Sequence, residues 1–352
     1  MELNPLAARR IAILRFVMIC GIVLLHTPNF VPLKEVGSGA FDLFKAFFQN
    51  AAFRATVPVL TVISGFFLFG TALDRRYGDL WRKKFKTIAV PFLFFNLALL
   101  AAAFVAQRVA GISLSYDLTS ADPMVWLNAA FGLTKPPINY PLNFLRDLLV
   151  LLAFAPVIGW MIRNVPIKGL VLIGLLFFNN FDGLLILRPE MPVMFYLGGM
   201  AAVYKWDLFK FDRFAWLLLA SFIALCCYVV GAKVANQNYL RLVSPFLIWP
   251  ASVLLLNTRA GDFFERMSKY SFFIFMAHAP ILLLSWMVYQ RVGTLVPYPL
   301  YWIMSPLLTI GSLMLTYQLA ARFAPRLLST VLGAKIGPAK SGRSAPVPVS
   351  GT

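Results

Sequence analysis

The sequence predicts an all-α protein, a polytopic membrane helix bundle of about ten transmembrane helices with both termini cytoplasmic. Three observations carry that expectation. Of 352 residues, 60% are hydrophobic and only 13% charged, with a mean hydropathy of +0.77, whereas a soluble domain carries about a quarter charged residues. The apolar residues fall in long blocks separated by short charged patches, the pattern of repeated membrane crossing. Finally, 32 Lys and Arg stand against 14 Asp and Glu, a formal charge of +18. Basic residues flanking apolar blocks orient helices in a bilayer, so the excess points away from a nucleic-acid partner.

A span of about 20 mainly apolar residues is the unit of the count. Ten spans are read, at about 11–30, 55–73, 87–109, 143–161, 168–186, 191–205, 214–232, 242–256, 271–289 and 299–320. The first carries Arg15 and His26 and is longer than a signal-peptide core, which marks it as a retained helix. The sixth and eighth are short, and Asn179, Asn180 and Asp182 interrupt the fifth. With the amino terminus inside, most of the basic residues fall on the inner side, as the positive-inside rule requires. Cys20, Cys226 and Cys227 lie inside apolar runs at spacings that make neither a disulfide framework nor a metal site, so they are read as packing residues and no metal is expected.

Two outer segments, about 31–54 and 110–142, are read as long loops. The second holds Pro136, Pro137 and Pro141 with Tyr116, Trp126 and Tyr140; it forms either a lid or acceptor groove, or a set of interfacial aromatics and turns. Residues 1–332 make up the membrane domain. Residues 333–352, rich in Pro, Gly, Ser and Lys, are expected to be a disordered cytoplasmic tail. Any chemistry therefore belongs to the membrane helices and their loops.

An ionisable residue inside a span is costly and marks a candidate site. His26, in the outer part of the first helix, has the chemistry of a base near neutral pH. Arg15 precedes it by eleven residues, and eleven steps of ~100° return to within ~20° of the same face while rising about 16 Å. The two cannot touch, but they can contact two ends of one extended ligand. Taken alone, Arg15 reads equally as a snorkelling anchor beside Arg9 and Arg10. The inner run from Asp74 to Lys86 holds Arg75, Arg76, Arg82, Lys83, Lys84 and Lys86 against two aspartates. Such a cluster suits phosphate groups, and it equally suits topology or anionic lipid.

Together these residues resemble the acyltransferase 3 family of membrane acyltransferases. The family's first helix carries an Arg, ten intervening residues and a His, matched by RRIAILRFVMICGIVLLHT with Arg15 and His26. Five further segments follow in the family's order: VPVLTVISGFFLFG, which contains Ser64; WRKKFKTIAVPFLFFN with Pro91; PLNFLRDLLVLLAFAPVIG; FYLGGMAAVYK; and YSFFIFMAHAPILL. The third of these departs at Asn143, where the family carries an aromatic. The resemblance runs from about residue 9 to 320.

The resemblance implies a cytoplasmic acyl-CoA donor, no tightly bound cofactor, and an acceptor hydroxyl on a lipid-linked or exported glycan at the outer side of the bacterial inner membrane. His26 is then the base that takes the acceptor proton. Arg15 with Arg75, Arg76, Arg82, Lys83, Lys84 and Lys86 would hold the CoA phosphates. Ser64, Arg146, Asp147, Asp182 and His278 are read as acceptor-binding or supporting residues, or as interhelical ties. The expected enzyme adds a small acyl group, acetyl (O-acetylation) or succinyl, to a cell-surface or exopolysaccharide. A succinyl group would bring a carboxylate to the reactive end, where Arg54 or Arg146 is the candidate partner. The rival reading is a transporter or export component for a glycan, since intramembrane charges and interrupted helices also line permeation paths.

Overall fold

The computed structural model describes residues 3–112, 115–293 and 295–334; the expected tail lies outside them from residue 335 onward. Among the described residues every regular element is a helix. Helix α1 (Pro5–Leu25) starts where the Asn4 side chain accepts from the Leu6 N–H and Pro5 sets the first turn, as capping chemistry favours. It stops at His26, which caps its carboxyl end.

The next two helices start earlier than hydropathy places them. Helix α2 (Ala40–Gly70) runs for 31 residues, through a π turn at Phe47–Ala51 and a tighter turn at Ala52–Ala55. The outer loop expected at 31–54 is therefore largely helix. Its segment FFQNAAFRA mixes polar and aromatic residues, which lowers the hydropathy without breaking the helix. Likewise α3 (Tyr77–Ala110) begins about three turns before the expected start, so Arg82, Lys83, Lys84 and Lys86 of the basic run lie in its first turns rather than in a loop, with Arg75 and Arg76 just before it.

Helix α4 (Pro123–Phe131) occupies the second outer segment; Asp122 caps its start and Gly132, at φ 68°, ends it. The fourth expected span is a bent pair, α5 (Tyr140–Ala153) and α6 (Ala155–Asn164), meeting at 63°. Pro156, in the first turn of α6, cannot supply the N–H that would continue the ladder. The remaining helices are α7 (Pro166–Phe178), α8 (Glu190–Val203), α9 (Asp212–Gly231), α10 (Asn238–Ala251), α11 (Arg259–Val292), α12 (Tyr298–Phe323) and α13 (Pro325–Leu332).

Among the described residues five helices (α2, α3, α9, α11 and α12) are long and apolar enough to cross a membrane, or six with the bent pair. Helix length alone thus does not carry the expected ten. Helix α1 has 21 residues but includes Arg9, Arg10 and Arg15. Helices α7, α8 and α10 have 13, 14 and 14 residues. At 1.5 Å per residue they reach about 20 Å, against a hydrocarbon core of about 30 Å.

Helix α8 sits inside the protein, with Met191, Met194, Phe195 and Tyr196 fully buried. It packs on α2 backbone to backbone: a Cβ added at Gly65 would strike the Phe195 carbonyl, and one at Gly198 the Val62 carbonyl. Small residues permit this approach between membrane helices, which accounts for the glycines of ISGFF and FYLGG. The core around this pair takes in α1, α5 and α11.

Two polar networks anchor the end of the bundle that holds His26. The Asn96 amide donates to the Ala129 and Ala130 carbonyls at 2.9 and 2.7 Å, and its Oδ1 accepts the Asn139 N–H at 3.0 Å. Asn139 also donates to the Met276 carbonyl on α11 at 3.2 Å. The second outer segment is thereby tied to α3 and α11, directly before Tyr140. On the other side, Gln49 donates to the Thr27 and Leu24 carbonyls at 2.9 and 3.3 Å, satisfying the carboxyl end of α1 beside His26.

Toward the start of α1 Arg10 is fully buried. It donates to Asp212 at 2.8 Å, to Ser252 Oγ at 2.9 Å and to the Trp249 carbonyl, and it lies over the Trp249 ring. The interfacial anchor expected at Arg10 is instead a satisfied interior ion pair joining α1 to α9 and the end of α10.

Candidate active site

Two histidines far apart in the chain meet where α1 ends. Nδ1 of His26 lies 3.1 Å from Nε2 of His278, with the rings stacked at 5.3 Å between centroids. His278 belongs to α11 and is fully buried. Its Nδ1 faces the carbonyls of Phe275 and Ile274 at 2.8 and 3.2 Å. Carbonyls only accept, so the network assigns the proton of a neutral His278 to Nδ1 and leaves Nε2 as an acceptor. His26 then donates from Nδ1, and its own Nε2 keeps a lone pair. The hydrogen-bond pattern thus fixes the tautomer that leaves His26 able to take a proton. The Tyr140 ring stands edge-on to His26 at 4.8 Å.

Below this pair, toward the Arg15 end of α1, lies a cavity of about 240 Å³. Arg15 and Lys84 line it together with Ser64, Ser271, Phe144 and Phe275. Neither Arg15 nor Lys84 has a hydrogen bond or ion pair among the described residues. Phe275 also lies 6.1 Å from the His278 ring, so the cavity ends one aromatic layer from the histidines. Ser64 directs its hydroxyl to the Leu60 carbonyl at 2.8 Å.

The other basic residues of the inner run do not line the cavity. Arg75, Arg82, Lys83 and Lys86 are exposed, and Arg76 sits 3.7 Å from Asp79 on the surface. Of the residues expected to hold a phosphorylated donor, the fold brings Arg15 and Lys84 to one cavity and leaves the rest on the surface near it.

Arg146 and Asp147 have definite occupations. Arg146 donates to the carbonyls of Gly132 at 2.7 Å, Leu133 at 2.6 Å and Leu185, and to Asp147 at 2.9 Å. These partners take four of its five N–H groups, and Asp147 balances its charge. Asp147 is fully buried and accepts the backbone N–H groups of Leu187 and Arg188 at 3.2 and 3.0 Å. The pair therefore shapes the chain entering α8. Asp182 accepts from the Ile186 N–H at 2.8 Å and closes its own turn.

The turn that Asp147 holds delivers residues the sequence reading missed. Arg188 donates from Nε to Asn143 Oδ1 at 3.2 Å and lies 3.9 Å from the buried carboxylate of Glu190. Arg241, opening α10, lies 3.5 Å from the same carboxylate. The turn Ala52–Ala55, which carries Arg54, packs against α1, the helix that ends at His26. Arg188, Glu190 and Arg241 sit at the ends of apolar blocks, where sequence alone assigns charges to topology.

The arrangement places a histidine able to take a proton at one end of the helix bundle and a cationic cavity toward the other. The chain matches the acyltransferase-domain family over residues 9–320; it belongs to this family and is an acyltransferase. It is similar to the succinoglycan biosynthesis protein ExoH of Rhizobium meliloti (strain 1021), with 32% identity over 345 residues covering 93% of this chain and 92% of that protein. No solved structure matches it. Family membership decides for an enzyme over the transporter alternative.

Proposed function

We propose that this protein is an O-acyltransferase of the bacterial inner membrane that moves a small acyl group, acetyl or succinyl, from acyl-CoA to a hydroxyl of a surface polysaccharide or its lipid-linked precursor. One observation carries the reading: the His26–His278 pair stands one aromatic layer, Phe275, beyond a cavity that presents Arg15 and Lys84 without protein partners. The polysaccharide acceptor is supported by the relative, whose name places it in succinoglycan biosynthesis.

In this mechanism Arg15 and Lys84 receive the anionic end of the donor, and the pantetheine arm threads the cavity. The roughly 16 Å rise from Arg15 to His26 is a distance an extended arm can bridge. Nε2 of His26 takes the proton of the acceptor hydroxyl as its oxygen attacks the thioester carbonyl carbon. The C–O bond forms, the C–S bond breaks, and the CoA thiolate leaves and regains a proton from the imidazolium. His278 accepts the His26 Nδ1–H, stabilising the charged ring and fixing its orientation. His278 is thus a positioning residue, and Asp147 positions the α8 entry.

The test is acyl transfer by the purified protein in lipid nanodiscs, with isotope-labelled acyl-CoA and the host polysaccharide or its oligosaccharide repeat. The acceptor is expected to gain about 42 mass units for acetyl or about 100 for succinyl, from the sizes of those groups. An acceptor of unchanged mass with either donor contradicts the reading.

A further inference from the structure

Beside the histidine pair, two guanidinium groups share one buried carboxylate, and a third, unpaired guanidinium comes from a turn packed on the helix that carries one of them. Arg188 and Arg241 approach the two oxygens of Glu190 at 3.9 and 3.5 Å, and Glu190 is 1% exposed with neither oxygen hydrogen-bonded. The third, Arg54, comes from the tight turn in α2. It has no hydrogen bond or ion pair among the described residues, its Nε is buried without a partner, and it rests over the Phe30 ring at 5.1 Å. The turn Ala52–Ala55 that carries Arg54 packs against α10, the helix that holds Arg241, and against α1, the helix that ends at His26. The nearby Arg146–Asp147 pair neutralises itself at 2.9 Å, so the group keeps a net charge of about +2 in a partly buried membrane setting.

Buried charge without a counter-ion is strongly disfavoured, above all inside a bilayer protein. The protein leaves this excess unmatched next to its base. The connections to His26 are short on both sides. Gln49, one turn before Arg54, caps the helix that ends at His26. Asn143, which holds Arg188, stands three residues after Tyr140, whose ring abuts His26.

We infer that Arg54, Arg188 and Arg241 form a carboxylate subsite at the reacting end, where the free acid of a bound substrate completes the charge balance that Glu190 leaves open. This rests on the acyltransfer reading above. A carboxylate can reach this place from two sources: the far end of a dicarboxylic acyl group such as succinyl, or an acidic sugar of the acceptor. The planar fork of arginine matches either one bidentately. Glu190 holds Arg188 and Arg241 apart for the incoming group, and unpaired Arg54 is its principal contact.

The experiment compares succinyl-CoA with acetyl-CoA, and an acidic acceptor with its carboxyl-reduced form, on wild type, Arg54→Gln and Arg241→Gln in nanodiscs. A charge-assisted hydrogen bond contributes about 1.5–3 kcal/mol, so a lost contact is expected to cost the carboxylate-bearing substrate its preference by roughly tenfold to a hundredfold in kcat/KM. If the succinyl-to-acetyl ratio collapses in Arg54→Gln, the carboxylate belongs to the donor; if the acidic-to-reduced acceptor ratio collapses, it belongs to the acceptor. Either result supports the subsite. Arg54→Lys, which keeps the charge, is expected to retain part of the preference, which separates recognition from misfolding. Equal loss across all four substrates in both Gln variants, or a wild type indifferent to both carboxylates, overturns the inference. Absence of transfer from any donor instead contradicts the acyltransfer reading itself.

Discussion

His26 Nδ1 and His278 Nε2 are 3.1 Å apart although 252 positions separate the residues in sequence. The backbone carbonyls behind His278 make this contact directional: His278 accepts and His26 donates. What matters for His278 is therefore the acceptor it offers, and His278→Ala is expected to lower kcat about 10²-fold through misplacement of His26. His278→Gln, whose side-chain oxygen can accept the same N–H, is expected to recover a measurable part. Equal loss in both variants, measured as kcat with donor saturating, would reduce His278 to a packing residue.

Arg15 faces the cavity without a partner, so its removal should weaken donor binding more than the chemical step. Arg15→Ala is expected to raise KM for acyl-CoA about tenfold or more, with a smaller change in kcat. Arg15→Lys should fall between. A kcat loss at unchanged KM would place Arg15 elsewhere in the mechanism.

The contact of α2 with α8 is a stability prediction. Gly65→Leu or Gly198→Val forces a side chain into the facing backbone, and overpacking of that kind costs about 1–3 kcal/mol or more. Detergent-solubilised variants are expected to unfold at lower temperature than wild type. Gly174, whose added Cβ would meet nothing within 4 Å, is the control: Gly174→Ala should leave the transition unmoved.

Arg10 tests the buried pair toward the start of α1. Arg10→Ala leaves Asp212 without its partner, and breaking a buried ion pair from one side costs about 3–5 kcal/mol. Thermal unfolding should show that loss, and the double change Arg10→Met with Asp212→Leu should recover part of it. Equal stability of the single and double variants would show that the pair itself contributes little.

The helical class and the Arg15–His26 spacing were legible in sequence because hydropathy and helical phase act locally. The basic run was legible as charge but not as structure: residues from Tyr77 to Lys86 continue α3, and only Lys84 turns into the cavity with Arg15. The loop expected at 31–54 proved helical because polar Gln49 and Asn50 are buried and bonded to carbonyls at the end of α1 and after it. No hydropathy window can see that satisfaction. Arg146 was a candidate for an acyl carboxylate, yet protein acceptors take four of its five N–H groups. Arg188 and Arg241 looked like loop-end charges, yet they converge on Glu190 because Asp147, a long way along the chain, grips the turn before α8. Such tertiary convergence leaves no mark in local pattern.

The central claim is that His26 is the base of an acyl transfer. The most direct measurement is the rate of labelled acyl transfer to the glycan acceptor by purified His26→Ala beside wild type, with donor binding followed in parallel. General-base catalysis contributes about 10²–10⁴ in rate, so a loss of that size at near-normal donor affinity is predicted. Transfer by His26→Ala at the wild-type rate would contradict it.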